Sequence, residues 1–496
     1  MMSSNPINPA EWIVEADIAG MQEAMNTGTM TSEELVQLYL ERIRQFDGKL
    51  KSIIEVNPEA LGIARQLDEE RYEIGTRGPL HGIPILLKDN IATRDAMHTS
   101  AGALALADSV AVEDSFVAAK LRAAGAVLLG KANMTEWANF MSSTMWSGYS
   151  SRGGLCLNPY GPGELFVGGS SSGSASAVAA NLAAAAIGTE TSGSIISPAS
   201  QNGIVGIKPT IGLVSRAGII PISHTQDTAG PMARTVADAA VLLGALTGED
   251  PNDEVTHGSS GQYYTDYTPF LDAEFLPQAR IGIPRFYYQD LDKDRLDIIE
   301  AAIRVLKEKG AEIIDPVELS CEQAEWDGHV MTHEFKKGVN DYLARLPEFV
   351  PVHSLEEVIR FNEEHADTCL RYGQDVLIHS EATSGTLTEK EYIHSLKRSV
   401  SQARQGLNEA FEEHKLDALL FLGNEGGDDL AARAGYPVIT VPGGFAERGI
   451  IAPGGYTTKG PQGITFIGRA FSEPTLIKIA YGYEQATRHR VPPVLE

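Results

Sequence analysis

The sequence predicts an α/β fold: a mixed central β-sheet flanked by helices on both faces, with a helical insertion. Three observations carry that reading. From Ile83 to Ile207, short apolar runs alternate with stretches of helical spacing, a β–α–β rhythm. Residues 283–412 are charged and poor in glycine, with helix-like periodicity. Apolar runs then return at Asp417–Phe421, Val438–Val441 and Ile464–Ile467, so the chain re-enters the same sheet.

The elements follow in order along what reads as one domain. Residues 1–75 form a helical arm. Within it, Thr31 and Glu34 make a capping box, each satisfying a free amide of the helix start. A second helix is expected from Pro58 to about Tyr72. Residues 76–282 form the catalytic core. Ile83–Leu87 is a short apolar strand that delivers Lys88-Asp89-Asn90 at its end. Ser115–Ala124 is helical and Ala126–Leu129 a buried strand; an Ala-rich helix is expected over Ser174–Ala186 and a strand over Gly203–Ile207. The insertion or cap, 283–412, holds helices at Asp294–Lys309, Ser354–Cys369 and Glu389–Glu413, the middle one opened by a second capping box, Ser354 with Glu357. Residues 413–496 complete the core and close on a helix at Glu473–Thr487.

Composition narrows the function. The 496 residues are 43% hydrophobic and 21% charged, the balance of a globular enzyme, with a formal net charge of −26. So acidic a surface repels phosphate backbones and anionic head groups, which disfavours nucleic-acid and membrane partners. Three scattered cysteines, Cys156, Cys321 and Cys369, make neither a disulfide framework nor a C-x-x-C site. The twelve histidines show no metal-ligand spacing, so neither metal nor cofactor is expected. Met1–Gly20 lacks a basic n-region and an apolar h-region, and no apolar run is long enough to span a bilayer; cytoplasmic residence is the expectation.

The chemistry concentrates in two small-residue loops, Gly168-Gly169-Ser170-Ser171-Ser172-Gly173-Ser174 and Gly188-Thr189-Glu190-Thr191-Ser192-Gly193-Ser194. A flexible linker would not be flanked by packed apolar segments. A phosphate cradle would need a G-x-x-x-x-G-K-[ST] pattern, which is absent. Gly169–Gly173 formally matches G-x-S-x-G, a nucleophile elbow with Ser171 served by His224 and Asp227, or by His394. A fourth reading uses more residues: Ser170 and Ser194 flank one helix and its following strand, and Lys88 supplies a base once burial lowers its pKa. Taken alone, a lysine after a strand is better read as a solvated surface charge.

The segments His81-Gly82-Ile83-Pro84…Lys88-Asp89-Asn90, Gly130–Ala138, Gly168–Thr210 and Asp227–Thr235 together resemble the amidase signature family, as does the 24-residue separation of Ser170 and Ser194 (194 − 170 = 24). The resemblance implies that family's mixed-sheet fold and an amide hydrolase. It casts Ser194 as nucleophile, Ser170 as bridging serine after a cis peptide bond, and Lys88 as base. It implies an oxyanion hole of backbone N–H groups from Thr191, Ser192, Gly193 and Ser194. The substrate implied is a small-molecule or peptide amide.

Departures from the family pattern bear on specificity. Ser172 stands in a glycine position, Glu190 in place of Asp, Ser192 in place of glycine, and Ile196 in place of an arginine that would hold a substrate carboxylate. With Gly212–Arg216 and Gln226–Thr228, the pattern most resembles the peptide amidase branch, which implies removal of C-terminal carboxamides from peptides. The alternative is a glutamyl-tRNA amidotransferase A-type subunit that needs a partner chain. Gly423–Gly435 is a short acidic loop beside the expected substrate region. Asp89 and Asn90 read equally as orienters of Lys88 or as turn caps, and Asp227 and Arg234 as members of structural pairs.

Overall fold

The computed structural model describes residues 8–450 and 457–495; the first seven residues of the arm and residues 451–456 and 496 lie outside the described residues. Its centre is one eleven-stranded mixed sheet. In chain order the strands are β1 (Ile53–Val56), β2 (Pro84–Lys88), β3 (Val127–Ala132), β4 (Ala185–Glu190), β5 (Val205–Lys208) and β6 (Thr228–Ala233), followed by β7 (Arg280–Gly282), β8 (Glu312–Ile314), β9 (Ala418–Leu422), β10 (Val438–Ala446) and β11 (Gly460–Ile467). They lie in the order β1-β3-β2-β4-β6-β5-β10-β11-β9-β7-β8. Strand β2 runs parallel to both β3 and β4, while β6 and β10 pair antiparallel with their neighbours. Central strands covered on both faces read as continuous apolar runs, which is why Ile85–Leu87 and Leu419–Leu422 are legible as strands and are buried.

The Thr31 capping box is present: the Glu34 amide donates to Thr31 Oγ1 (3.1 Å) and the Thr31 amide to Glu34 (2.8 Å). The second box is only half made, because Glu357 accepts from the His353 amide rather than from Ser354. The expected helix over Ser174–Ala186 is corrected. It spans Ser172–Ala179 and ends where Asn181 takes a left-handed φ of 57°, and Ala185 onward belongs to β4. An alanine run suits either element. Pairing of Ala185–Ile187 with Ile85–Leu87 decides it, since only small residues let helix and strand pack this closely.

The stretch 283–412 divides in two. Helix Lys293–Glu308 and β8 join the main core through Ile299, Ile303 and Leu306, whereas residues 329–377 build a second apolar cluster. In that cluster Phe335, Val339, Leu343 and Leu355 pack against Trp137, Met141, Ile220 and Ile222 of the core loops. The cap is thereby seated over the carboxyl ends of β2 and β4, where the reactive loops emerge.

Candidate active site

Lys88 closes β2 and is fully buried. Its Nζ lies 2.7 Å from Ser170 Oγ, 2.8 Å from Thr189 Oγ1 and 3.1 Å from the Thr189 carbonyl. Burial lowers its pKa to about 7, against the opposing pull of Asp227 and Glu190. A neutral amine has two N–H donors and one lone pair. The Thr189 carbonyl and hydroxyl accept the two N–H bonds, which leaves the lone pair facing the Ser170 hydroxyl. Asn90 Nδ2 also donates to Thr189 Oγ1 (3.0 Å), so Asn90 orients Lys88 through Thr189. Asp89 instead holds the turn, accepting from Gly102 N (2.9 Å) and Ser100 Oγ.

Ser170 is buried and follows a cis Gly169–Ser170 peptide, and its carbonyl accepts from the Thr135 amide (3.0 Å) of the 130–138 motif. The Ser171 amide donates to the Ser194 carbonyl (3.1 Å), which brings the second loop against the first. Ser194 keeps a small accessible surface (8%). Lys88, Ser170 and Ser194 are therefore collected at the ends of β2 and β4. Ser171 is not available as an elbow nucleophile: its hydroxyl is buried and exchanges hydrogen bonds with the Thr189 backbone (3.1 and 3.2 Å). His224 lies beside Glu334. Ser172 Oγ donates to the Gly168 carbonyl (2.7 Å) and closes the loop.

The Thr191–Ser194 loop is tied from inside by Glu190. Its carboxylate accepts from the amides of Ile195 (2.7 Å) and Ile196 (3.0 Å), and the Gly193 amide contributes as well. Burial pushes the Glu190 carboxyl up, and the buried Lys208 ammonium, itself lowered to about 8, acts in the opposite sense. Glu190→Gln would replace one of the two carboxylate oxygens that serve the three amides with an amide nitrogen and lose the charge. The expected result is a loss of about 2 kcal/mol in urea denaturation, together with a fall in kcat larger than any change in KM.

Thr191 donates to Asp227 (2.5 Å), which also accepts from the Ile222 and Ser223 amides (2.8 and 2.9 Å). Burial raises the Asp227 carboxyl to about 6. Asp227 is thus a support of the Thr191–Ser194 loop, and Arg234 points elsewhere, to the carbonyls of Ala183 (2.8 Å) and Ala16 (2.7 Å). The expected acidic loop Gly423–Gly435 is corrected: most of it is a helix, Gly427–Ala434, whose first turn reaches the site from the other side. Ser192 donates to Asp429 (3.1 Å), and the Asp428 carboxyl fills the space a side chain would take at Gly193, whose φ of 77° favours glycine. Ile196, at the missing arginine position, is buried.

Thr189 and Asp428 were not singled out by sequence. Thr189 was within reach, because on a strand it shares a face with Thr191, two residues on. Among the described residues no group of three or more His, Cys, Asp or Glu side chains is placed to hold a metal ion. No described helix is long and apolar enough to cross a membrane.

The sequence profile of the family described as Amidase matches residues 34–421. A probable amidase of Arabidopsis thaliana is 43% identical over 493 residues, covering 97% of this chain and 92% of its own. The crystal structure of an amidase family protein from Bacillus anthracis superposes with a TM-score of 0.91 at 40% identity, over 98% of this chain and 94% of that one. The native peptide amidase of Stenotrophomonas maltophilia does so with a TM-score of 0.88 at 43% identity, over 98% and 100%.

Proposed function

The chain belongs to the amidase family and is a hydrolase of amide C–N bonds, and from that premise we propose that it works through Lys88, Ser170 and Ser194 on peptide C-terminal amides or small aliphatic and aryl amides. The observation that carries this reading is the buried Lys88 amine 2.7 Å from Ser170 Oγ. Only a desolvated lysine is neutral near pH 7, and only a neutral one can take a serine proton.

In this reading Ser194 Oγ attacks the amide carbon while its proton passes to Ser170 and the Ser170 proton to Lys88. The negative charge that develops on the carbonyl oxygen is met by the backbone N–H groups of the Thr191–Ser194 loop. The C–N bond then breaks as the relay returns the proton to the departing nitrogen. Water, deprotonated by the same relay, cleaves the Ser194 ester to give the carboxylate. The sum is amide plus water to carboxylate plus ammonium or a protonated amine. The likeness to a peptide amidase and the absence of an arginine at position 196 support an amide substrate without a neighbouring carboxylate.

The test is the purified chain alone, assayed for ammonia from an N-acetylated peptide amide and from hexanamide. Turnover of either supports the proposal. Turnover only with an added partner would favour an amidotransferase subunit instead. The pH profile is a second prediction. Protonated Lys88 cannot accept a proton, so kcat/KM should rise through about pH 7 and level off above it. A profile flat from pH 5.5 to 8.5 would count against the lysine as base.

A further inference from the structure

One buried carboxylate joins the cap helix His329–Leu343 to the core loop 221–227. Glu334, 1% exposed, accepts from the Thr225 amide (3.0 Å) and hydroxyl (2.5 Å), from the Ser223 hydroxyl, and from Tyr392 (2.8 Å) of the helix Lys390–Glu413. His224 Nε2 lies 3.4 Å away on a largely exposed side chain. Among the described residues no lysine or arginine pairs with Glu334, so its charge relies on these donors, most of which belong to the loop. A buried carboxylate is tolerated only where such bonds satisfy its oxygens. Gly338, one turn further on the same face of the helix, lets the cap lie directly on the loop. A Cβ there would come within 2.9 Å of the Pro221 ring.

The same loop grips Thr191 at two points. Asp227, itself held by the Ile222 and Ser223 amides, accepts from the Thr191 hydroxyl, and the buried Gln226 donates from Nε2 to the Thr191 carbonyl (3.2 Å). A peptide unit is planar, with its C=O and N–H pointing opposite ways. Fixing the Thr191 carbonyl therefore fixes the direction of the Ser192 N–H, one of the donors of the proposed oxyanion hole. We propose that Glu334 is a positioning residue for amide hydrolysis: through residues 223–227 and Thr191, the cap aims the Ser192 N–H at the oxygen that gains charge. Glu334 bonds none of Lys88, Ser170 and Ser194, and acts only by holding the loop. The inference rests on the proposed oxyanion hole and adds to it a dependence on the cap. Oxyanion donors meet a charge that develops after the substrate is bound, so misaiming one lowers kcat and leaves KM nearly unchanged.

The experiment measures kcat and KM of the full chain on whichever of the N-acetylated peptide amide and hexanamide the wild type hydrolyses faster. Glu334→Gln keeps the size of the side chain but loses its charge and one accepting oxygen. Its kcat should fall about tenfold, with KM within about twofold of wild type. Asn340→Ala is the control. On the same helix, Asn340 accepts from the Leu355 amide (2.7 Å) within the cap and has no hydrogen bond to the loop, so kcat should stay within about twofold. If Glu334→Gln does not fold, Thr225→Val is read in its place. It removes one hydroxyl donor to Glu334, keeps the amide bond, and should lower kcat about threefold at unchanged KM. An unchanged kcat, a rise in KM alone, or an equal fall in Asn340→Ala would overturn the inference and leave the amidase reading intact. No turnover of either substrate by the wild type would remove the amidase reading and this inference together.

Discussion

Ser194→Ala is expected to reduce amide hydrolysis by at least about 10⁴-fold, with the fold intact. The magnitude follows from the role: loss of a nucleophile leaves only binding and oxyanion stabilisation, and in serine hydrolases that step costs up to ~10⁶ in kcat. The stability change should stay within about 1 kcal/mol. The Ser194 carbonyl, not its hydroxyl, joins the two loops through the Ser171 amide, and alanine keeps that carbonyl. A fluorophosphonate should label the wild-type chain at Ser194 and leave the alanine variant unlabelled, with the adduct located by mass spectrometry. Label on Ser171 would sink the assignment. That outcome is disfavoured here, since the Ser171 hydroxyl is engaged on both sides by Thr189.

Lys88→Met has the second largest expected effect, and its signs separate a base from a structural lysine. Removing a general base costs on the order of 10³–10⁴ in kcat. Stability should move the other way. The folded pKa of about 7 lies below the model value of 10.5, so folding releases a proton between those values. The wild type therefore carries a penalty that is complete below pH 7 and fades as pH rises towards 10.5. Each pKa unit is about 1.4 kcal/mol, giving a penalty of up to ~5 kcal/mol, while the hydrogen bonds lost in the methionine variant return roughly 3 kcal/mol at about 1 each. At pH 6, Lys88→Met should thus be more stable than wild type by about 2 kcal/mol, with the gap closing at about pH 8 and the order reversed by about pH 10. An inactive variant that is also less stable at pH 6 would mark Lys88 as a structural anchor.

Much of this architecture is legible in the sequence because its signals are local. The Thr31 capping box involves residues three apart, and the closing helix Glu473–Thr487 lies where its periodicity places it. The central strands announce themselves as apolar runs. Legibility fails where two elements suit the same residues. The alanines from 174 to 186 suit a helix as well as a strand, and β4 exists because β2 and β6 lie on either side of it. It fails again over 283–412, where helical spacing cannot say which helices cover the sheet and which build a second core. The site shows the same division. Ser170 and Ser194 stand out through the small residues around them, whereas Asp227 reads as an ordinary buried carboxylate until Thr191 is seen to bond it.

What the sequence determined by itself is the set of candidate groups and their order along the chain: a lysine closing a strand, two serines in glycine-rich loops 24 residues apart (194 − 170 = 24), and an isoleucine two residues after the second serine. What only the tertiary structure decided is the state of those groups. Lys88 suits the base proposed here because it is buried and Thr189 and Ser170, 101 and 82 residues away along the chain, hydrogen-bond its amine. Asn90 is tied to the same amine because Thr189, 99 residues later, accepts its side-chain N–H. Desolvation is set by everything within a few ångströms, whatever its position in the chain, so a pKa belongs to the packed molecule rather than to any stretch of sequence.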